Sequence, residues 1–81
     1  MYIDSFKKRY DLVEFNFYGT YVGEKTTYVL EMLINCSIDE FDKNGFDEIV
    51  IVDEEQSYVF VGFEINEYYE ENDCIKVVCV K

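Results

Sequence analysis

The side chains with the strongest chemical character in this sequence are carboxylates and tyrosines concentrated in its second half. Between Asp39 and Asp73 there are thirteen acidic residues and a single base, Lys43. Carboxylates serve as general acids and bases, as ligands for hard cations, or as negative charge presented to a basic partner. Because so many are present, no particular pair stands out as catalytic, and the sequence favours the last of these uses.

Other catalytic and metal-binding chemistry has little support. The chain has no histidine, which removes the commonest general base and transition-metal ligand. Cys74 and Cys79 lie five positions apart on a predicted strand and point to opposite faces, so with Cys36 they form no zinc site. The segment 40–45 imitates the first half of a calcium loop, but the position of the closing glutamate is Ile51. We therefore expect no enzymatic activity, no metal and no cofactor.

The net charge of −11 indicates what the protein attracts. Such a field repels nucleic acid and anionic membranes and attracts basic proteins. Three free thiols are typical of a reducing cytosol. Asp4 lies where the apolar run of a secretory signal should begin. The sequence thus predicts a cytoplasmic protein, in the host cell cytoplasm if it is phage-encoded.

The apolar pattern predicts one domain over residues 1–81. Ser37 to Glu40 forms a capping box and Asn44–Gly45 a helix end, which together predict a helix of about two turns. Residues 2–10 are ambiguous and allow a short helical turn. The predicted class is α+β: a small, mainly antiparallel five-stranded sheet or partly open barrel, in the order β-β-α-β-β-β, with one short helix. The predicted strands are Asp11–Val22, Thr26–Cys36, Glu48–Asp53, Tyr58–Tyr69 and Cys74–Lys81.

Alternation assigns a face to the residues of each strand. In the first strand Val13, Phe15 and Phe17 share one face, and in the second the alternate residues from Tyr28 to Cys36 do. A helix is the alternative for the second strand, but the flanking Thr-Thr-Tyr-Val and the clean alternation favour a strand. In the long strand the predicted buried residues are Val59, Val61, Phe63 and Ile65, and the predicted opposite face holds Tyr58, Glu64, Tyr68 and Glu70.

The candidate site combines exposed acids with tyrosines. Same-face positions on a strand repeat about every 6.7 Å, close to two phosphate steps of about 3.4 Å along one strand of a duplex. We predict that these carboxylates imitate phosphates, and that two tyrosines anchor the contact. The candidate residues are Asp53, Glu54, Glu55, Tyr58, Glu64, Glu67, Tyr68, Glu70, Glu71 and Asp73.

The predicted partner is a basic nucleic-acid-binding protein, with no direct contact to nucleic acid or membrane. Small inhibitors that phages and mobile elements direct against host nucleases, repair enzymes or CRISPR effectors often have this size and acidity. The leading hypothesis is therefore a DNA mimic of the anti-CRISPR or nuclease-inhibitor type.

Two alternatives stay open. The acidic edge is also explained as protection against strand-to-strand aggregation. The other alternative is a structural or assembly module that forms a homodimer or a subunit contact. Its apolar sheet face consists of Tyr58, Phe60, Gly62, Val50, Val52, Val78 and Val80.

Overall fold

The structure, a computed structural model, describes residues 1–5, 8–44, 46 and 48–81. In this part of the chain there are seven strands and no helix, so the predicted α+β class with five strands and one helix is wrong and the protein is all-β. The strands are β1 (Tyr2–Asp4), β2 (Arg9–Val22), β3 (Lys25–Asn35), β4 (Glu48–Val52), β5 (Ser57–Val61), β6 (Glu64–Glu71) and β7 (Cys74–Val80).

All seven strands belong to one antiparallel sheet in the order β5-β4-β1-β2-β3-β7-β6. The two outermost strands, β5 and β6, are consecutive in sequence and joined only by Gly62 and Phe63. Across a flat sheet they would lie about 29 Å apart, since neighbouring strands are about 4.8 Å apart. Three Cα–Cα steps span at most about 11 Å, so the sheet must curl until its two ends approach each other.

The core fills the inner, concave side of the curled sheet. Isoleucines at positions 3, 34, 49, 51 and 75 are fully buried there, as is Cys79. We call this side the inner face and the opposite side the outer face. Segment 36–46 contributes three more buried or half-buried residues, Cys36, Phe41 and Phe46.

The predicted helix after Ser37 is replaced by a single turn. The carbonyl of Ser37 accepts hydrogen bonds from the amides of Glu40 and Phe41, at 3.1 and 3.2 Å. The amide of Asp42 then donates to the Tyr10 hydroxyl at 2.9 Å, and the Asp42 carboxylate accepts from the amide of Asn44. In these two hydrogen bonds the Asp42 amide and carboxylate are used by partners outside a helical hydrogen-bond pattern, which competes with helix formation. The predicted helix end at Gly45 lies outside the described residues.

The predicted strand Tyr58–Tyr69 is divided in two. Gly62 has a φ of 81°, a value that breaks a strand and that glycine adopts without steric penalty. The alternation therefore changes phase: Phe60 is buried, whereas Val59 and Val61 are 61% and 54% exposed. The prediction that Val59 and Val61 face the core is wrong, and it is Phe60 that does so.

A β-bulge shifts the first long strand in the same way. The register between β2 and β3 changes between Leu12 and Glu14, which leaves Val13 half exposed. Tyr10 and Leu12 therefore share the inner face with Phe15. Of the ambiguous residues 2–10, Tyr2–Asp4 form β1, which pairs with both β2 and β4, and Arg9 and Tyr10 begin β2. Phe6 and Lys7 lie outside the described residues.

Candidate partner-binding edge

Strand β6 carries a group of exposed acids. Four of its eight residues are glutamates, at positions 64, 67, 70 and 71, and all four are exposed. Among the residues that the structure describes, the strand pairs with β7 on one side only, because it is the last strand in the sheet. The glutamates are therefore held on a hydrogen-bonded backbone and still face solvent.

A second bulge determines which side chains of β6 share a face. The register between β6 and β7 changes between Ile65 and Glu67, so Asn66 is the extra residue. Ile65, Tyr68 and Glu70 pair with buried residues of β7 and lie on the inner face. The outer face holds Glu64, Glu67, Tyr69 and Glu71. The predicted grouping of Glu64 with Tyr68 and Glu70 is thus wrong.

The two predicted anchor tyrosines lie on the inner face. The Tyr58 ring packs against Phe15 with centroids 5.3 Å apart, and its hydroxyl donates to the side-chain oxygen of Gln56. The Tyr68 ring lies 5.1 Å from that of Phe41. Each tyrosine remains 37% exposed, so each contributes to packing and also presents a rim to solvent.

Tyr69 is the tyrosine that the structure places among the outer-face glutamates. It is 45% exposed and pairs with Lys76 of β7. Simple alternation in the sequence also places Tyr69 on one face with Glu67 and Glu71, and the structure confirms this grouping. The candidate residues predicted from the sequence nevertheless omit Tyr69, although the alternation from Glu67 to Glu71 was sufficient to include it.

The remaining predicted acids form two separate turns. Asp53, Glu54 and Glu55 precede β5, where the amide of Asp53 donates to the carbonyl of Gln56 at 2.8 Å. Asp73 follows β6 in a two-residue turn in which Asn72 and Asp73 both have positive φ, as a type I′ hairpin turn requires. The structure therefore groups Asp73 with Glu70 and Glu71. It separates the turn at 53–55 from them by the full lengths of β5 and β6.

Few of these charges are compensated by nearby bases. The one ion pair in the described part of the chain joins Arg9 to Asp4 at 2.7 Å, and this hydrogen-bonded contact raises the pKa of Arg9. Lys8 donates to the carbonyl of Glu40, and Lys81 lies 5.9 Å from the ring centroid of Phe63. Within the described residues, none of the β6 glutamates has an ion-pair partner.

A groove of about 790 Å³ runs beside β6. Residues from both faces of the strand line one wall, among them Tyr68 and Glu67, and Lys43, Asn44 and Phe46 line the other. Because both faces contribute, the groove lies alongside the free edge of the strand.

Two of the three cysteine thiols are buried, those of Cys36 and Cys79. Burial raises the pKa of the Cys79 thiol to about 12, and burial together with the nearby Glu40 raises that of Cys36. No group of three or more metal-binding side chains occurs over residues 1–5, 8–44, 46 and 48–81. The same residues contain no helix with the length and apolar character needed to cross a membrane.

Comparison with protein-family models, curated proteins and solved structures found no match to this chain.

Proposed function

We propose that this chain is a binding protein that occupies the cationic groove of a basic, nucleic-acid-handling protein in place of nucleic acid. One observation carries the proposal: a single hydrogen-bonded edge strand carries four glutamates, and none of them has an ion-pair partner among the described residues. A flexible acidic tail loses backbone and side-chain conformational entropy when it binds a row of lysines and arginines. Carboxylates on a paired strand lose less, because their backbone is already ordered. Inhibition of a host nuclease or CRISPR effector is the form of this activity that fits the chain's size and charge.

The Tyr69 ring strengthens the fit to an arginine-rich groove. It lies between Glu67 and Glu71 on the outer face, where a guanidinium can stack on its ring while it pairs with either carboxylate. Tyrosine is also favoured at interface centres because it brings a large contact area with little conformational freedom.

The test is affinity capture from a cell lysate at low salt with a matched pair of variants. The edge variant carries Glu70→Lys and Glu71→Lys. The control variant carries Glu14→Lys and Glu24→Lys on β2 and the β2–β3 turn. Each variant has a net charge of −7, since two reversals add +4 to −11.

We expect the parent and the control variant to retain basic nucleic-acid-binding proteins that duplex DNA or a salt step releases, and the edge variant to lose them. Equal retention by both variants would show that net charge alone is responsible. Absence of any basic nucleic-acid-binding protein from the parent eluate would contradict the proposal.

A second candidate function, self-assembly, is favoured by the opposite edge of the sheet. The five residues of β5, Ser57–Val61, carry no charge, and Val59 and Val61 are exposed on the outer face beside half-buried Val50 and Val52. Tyr58 and Phe60, predicted to lie in this contact, instead face inward.

Sedimentation analysis of the Val59→Glu variant tests this function. Self-assembly would be supported if the parent forms a concentration-dependent dimer, Val59→Glu abolishes the dimer, and the control Val13→Glu on β2 leaves it intact. A parent that stays monomeric at every concentration would contradict it.

A further inference from the structure

We propose that the free edge of β6 binds a basic, extended segment of the partner by strand addition, with Glu67–Glu71 as the template. The inference rests on the proposed function, because it assigns a binding mode to the same acidic edge. It goes further in making backbone hydrogen bonds, and not charge alone, responsible for recognition.

The backbone of this segment is suited to receive another strand. Residues 67–71 pair one for one with β7, from Glu67 opposite Val78 to Glu71 opposite Cys74. The irregularity at Asn66 ends before this segment begins. A paired strand directs half of its N–H and C=O groups away from its neighbour, so β6 presents an unpaired row about 14 Å long, at roughly 3.4 Å per residue.

The groove beside the first half of β6 provides space for one end of an added strand, and it meets the template at Glu67 and Tyr68. Its volume of about 790 Å³ lies between the edge of β6 and the loop residues Lys43, Asn44 and Phe46. Buried Phe46 and Phe63 form part of its lining. Alternate side chains of an added strand point to opposite faces. Every second side chain of the added strand would therefore pack on the rings of Phe46 and Phe63, and the remaining side chains would face the outer-face glutamates.

The charge of β6 identifies the occupant as a basic segment of another protein. The strand has four glutamates and no base. A second copy pairing on the same edge would place glutamates opposite glutamates, which is destabilising. Lysine or arginine at alternate positions instead meets Glu67 and Glu71 across the strand pair, and the residue between them packs on Tyr69.

The test uses synthetic peptides and leaves the protein unmodified, so loss of folding cannot mimic the result. The parent peptide is acetylated and amidated Lys-Val-Lys-Thr-Lys-Val-Lys. Two further peptides carry N-methyl groups on alternate backbone amides, one on the odd positions and one on the even positions. All three have identical charge, and each methylated peptide has lost the hydrogen-bond donors of one edge only.

Binding at low salt is measured by calorimetry, and the site is located by backbone amide NMR of the isotope-labelled protein. We expect one methylated peptide to lose at least about tenfold in affinity and the other to stay within about twofold of the parent. Amides of residues 67–71 should shift and become protected from hydrogen exchange.

Equal affinity of all three peptides would overturn strand addition and leave the charge-based proposed function standing. Binding that shifts only amides far from β6 would also overturn it. Failure of every peptide to bind, while the lysate experiment still retains basic proteins through Glu70 and Glu71, would overturn the inference alone.

Discussion

The ring of Phe17 on β2 lies 5.2 Å from the ring of Phe60 on β5, although β4 and β1 separate these strands in the sheet. The contact is possible only because the sheet curls across its inner face. Phe63, in the link between β5 and β6, lies 6.1 Å from Phe17 and 5.7 Å from Phe60. This three-ring cluster packs β5 and the β5–β6 link against β2 and so positions the first residues of β6.

Truncation of Phe60 should therefore destabilise the whole domain. Phe60 is 9% exposed, and Phe60→Ala is expected to lower the free energy of unfolding by about 3 kcal/mol or more. The control is the neighbouring Val59→Ala, at a position 61% exposed, with an expected change within about 0.5 kcal/mol. Urea unfolding followed by circular dichroism measures both, and equal effects would show that the ring cluster does not stabilise the curled sheet.

The strands with clean alternation could be predicted from sequence. The predicted strand Thr26–Cys36 is confirmed as β3, and Leu30, Met32 and Ile34 are fully buried as their phase requires. The C-terminal strand is confirmed as β7. In these segments the alternation of inward and outward residues continues without a bulge, so the sequence pattern and the observed burial agree.

Positions where the phase changes could not be predicted. Three irregularities each move the side chains that follow to the other face: the bulge near Val13, the break at Gly62 and the bulge at Asn66. A shift by one residue does not change the residue composition, so the sequence pattern does not reveal it. Strand β1 has three residues, too few to show a period. Alternation correctly separated Glu67 and Glu71 from Glu70, but it put Glu64 on the wrong face because the Asn66 bulge lies between Glu64 and the other three.

The predicted helix failed for a different reason. Its capping signals are local, whereas the segment is held by the tertiary contact between the amide of Asp42 and the hydroxyl of Tyr10 and by packing of Phe41 on Phe46, with ring centroids 5.3 Å apart. These contacts outweigh a marginal two-turn helix, because short helices are unstable without packing of their own.

Removal of the Tyr10 hydroxyl should loosen the segment that forms one wall of the groove. Tyr10→Phe keeps the buried ring and deletes the acceptor of the Asp42 amide, so we expect a loss of about 1 kcal/mol. Exchange of the Asp42 amide hydrogen should become faster. Amide exchange in β3 should become faster only as much as the loss of global stability requires. The control is Tyr21→Phe, at a position 82% exposed, which should change neither quantity. Unaltered exchange at Asp42 in Tyr10→Phe would contradict this role of the hydroxyl.

Salt should stabilise the folded protein. With a net charge of −11 the compact state suffers self-repulsion, and raising ionic strength from about 0.01 M to about 0.15 M shortens the screening length from about 30 Å to about 8 Å. We expect the melting temperature, measured by calorimetry, to rise over this range. The Glu70→Lys, Glu71→Lys variant should respond less. A melting temperature that is flat or falls with salt would contradict the dominance of repulsion.

The buried thiol of Cys79 should make the protein less stable at high pH. Burial raises its pKa from 9.0 in the unfolded chain to about 12 in the folded one. The stability contributed by the protonated thiol is therefore complete below pH 9 and is lost as pH rises towards 12. Each pH unit in that window costs at most about 1.4 kcal/mol. Cys79→Ala should flatten the decline in urea-unfolding free energy above pH 9. Val77→Ala, an equally buried position on the same strand, should lower stability but keep the slope. Identical slopes in both variants would assign the high-pH loss to other groups.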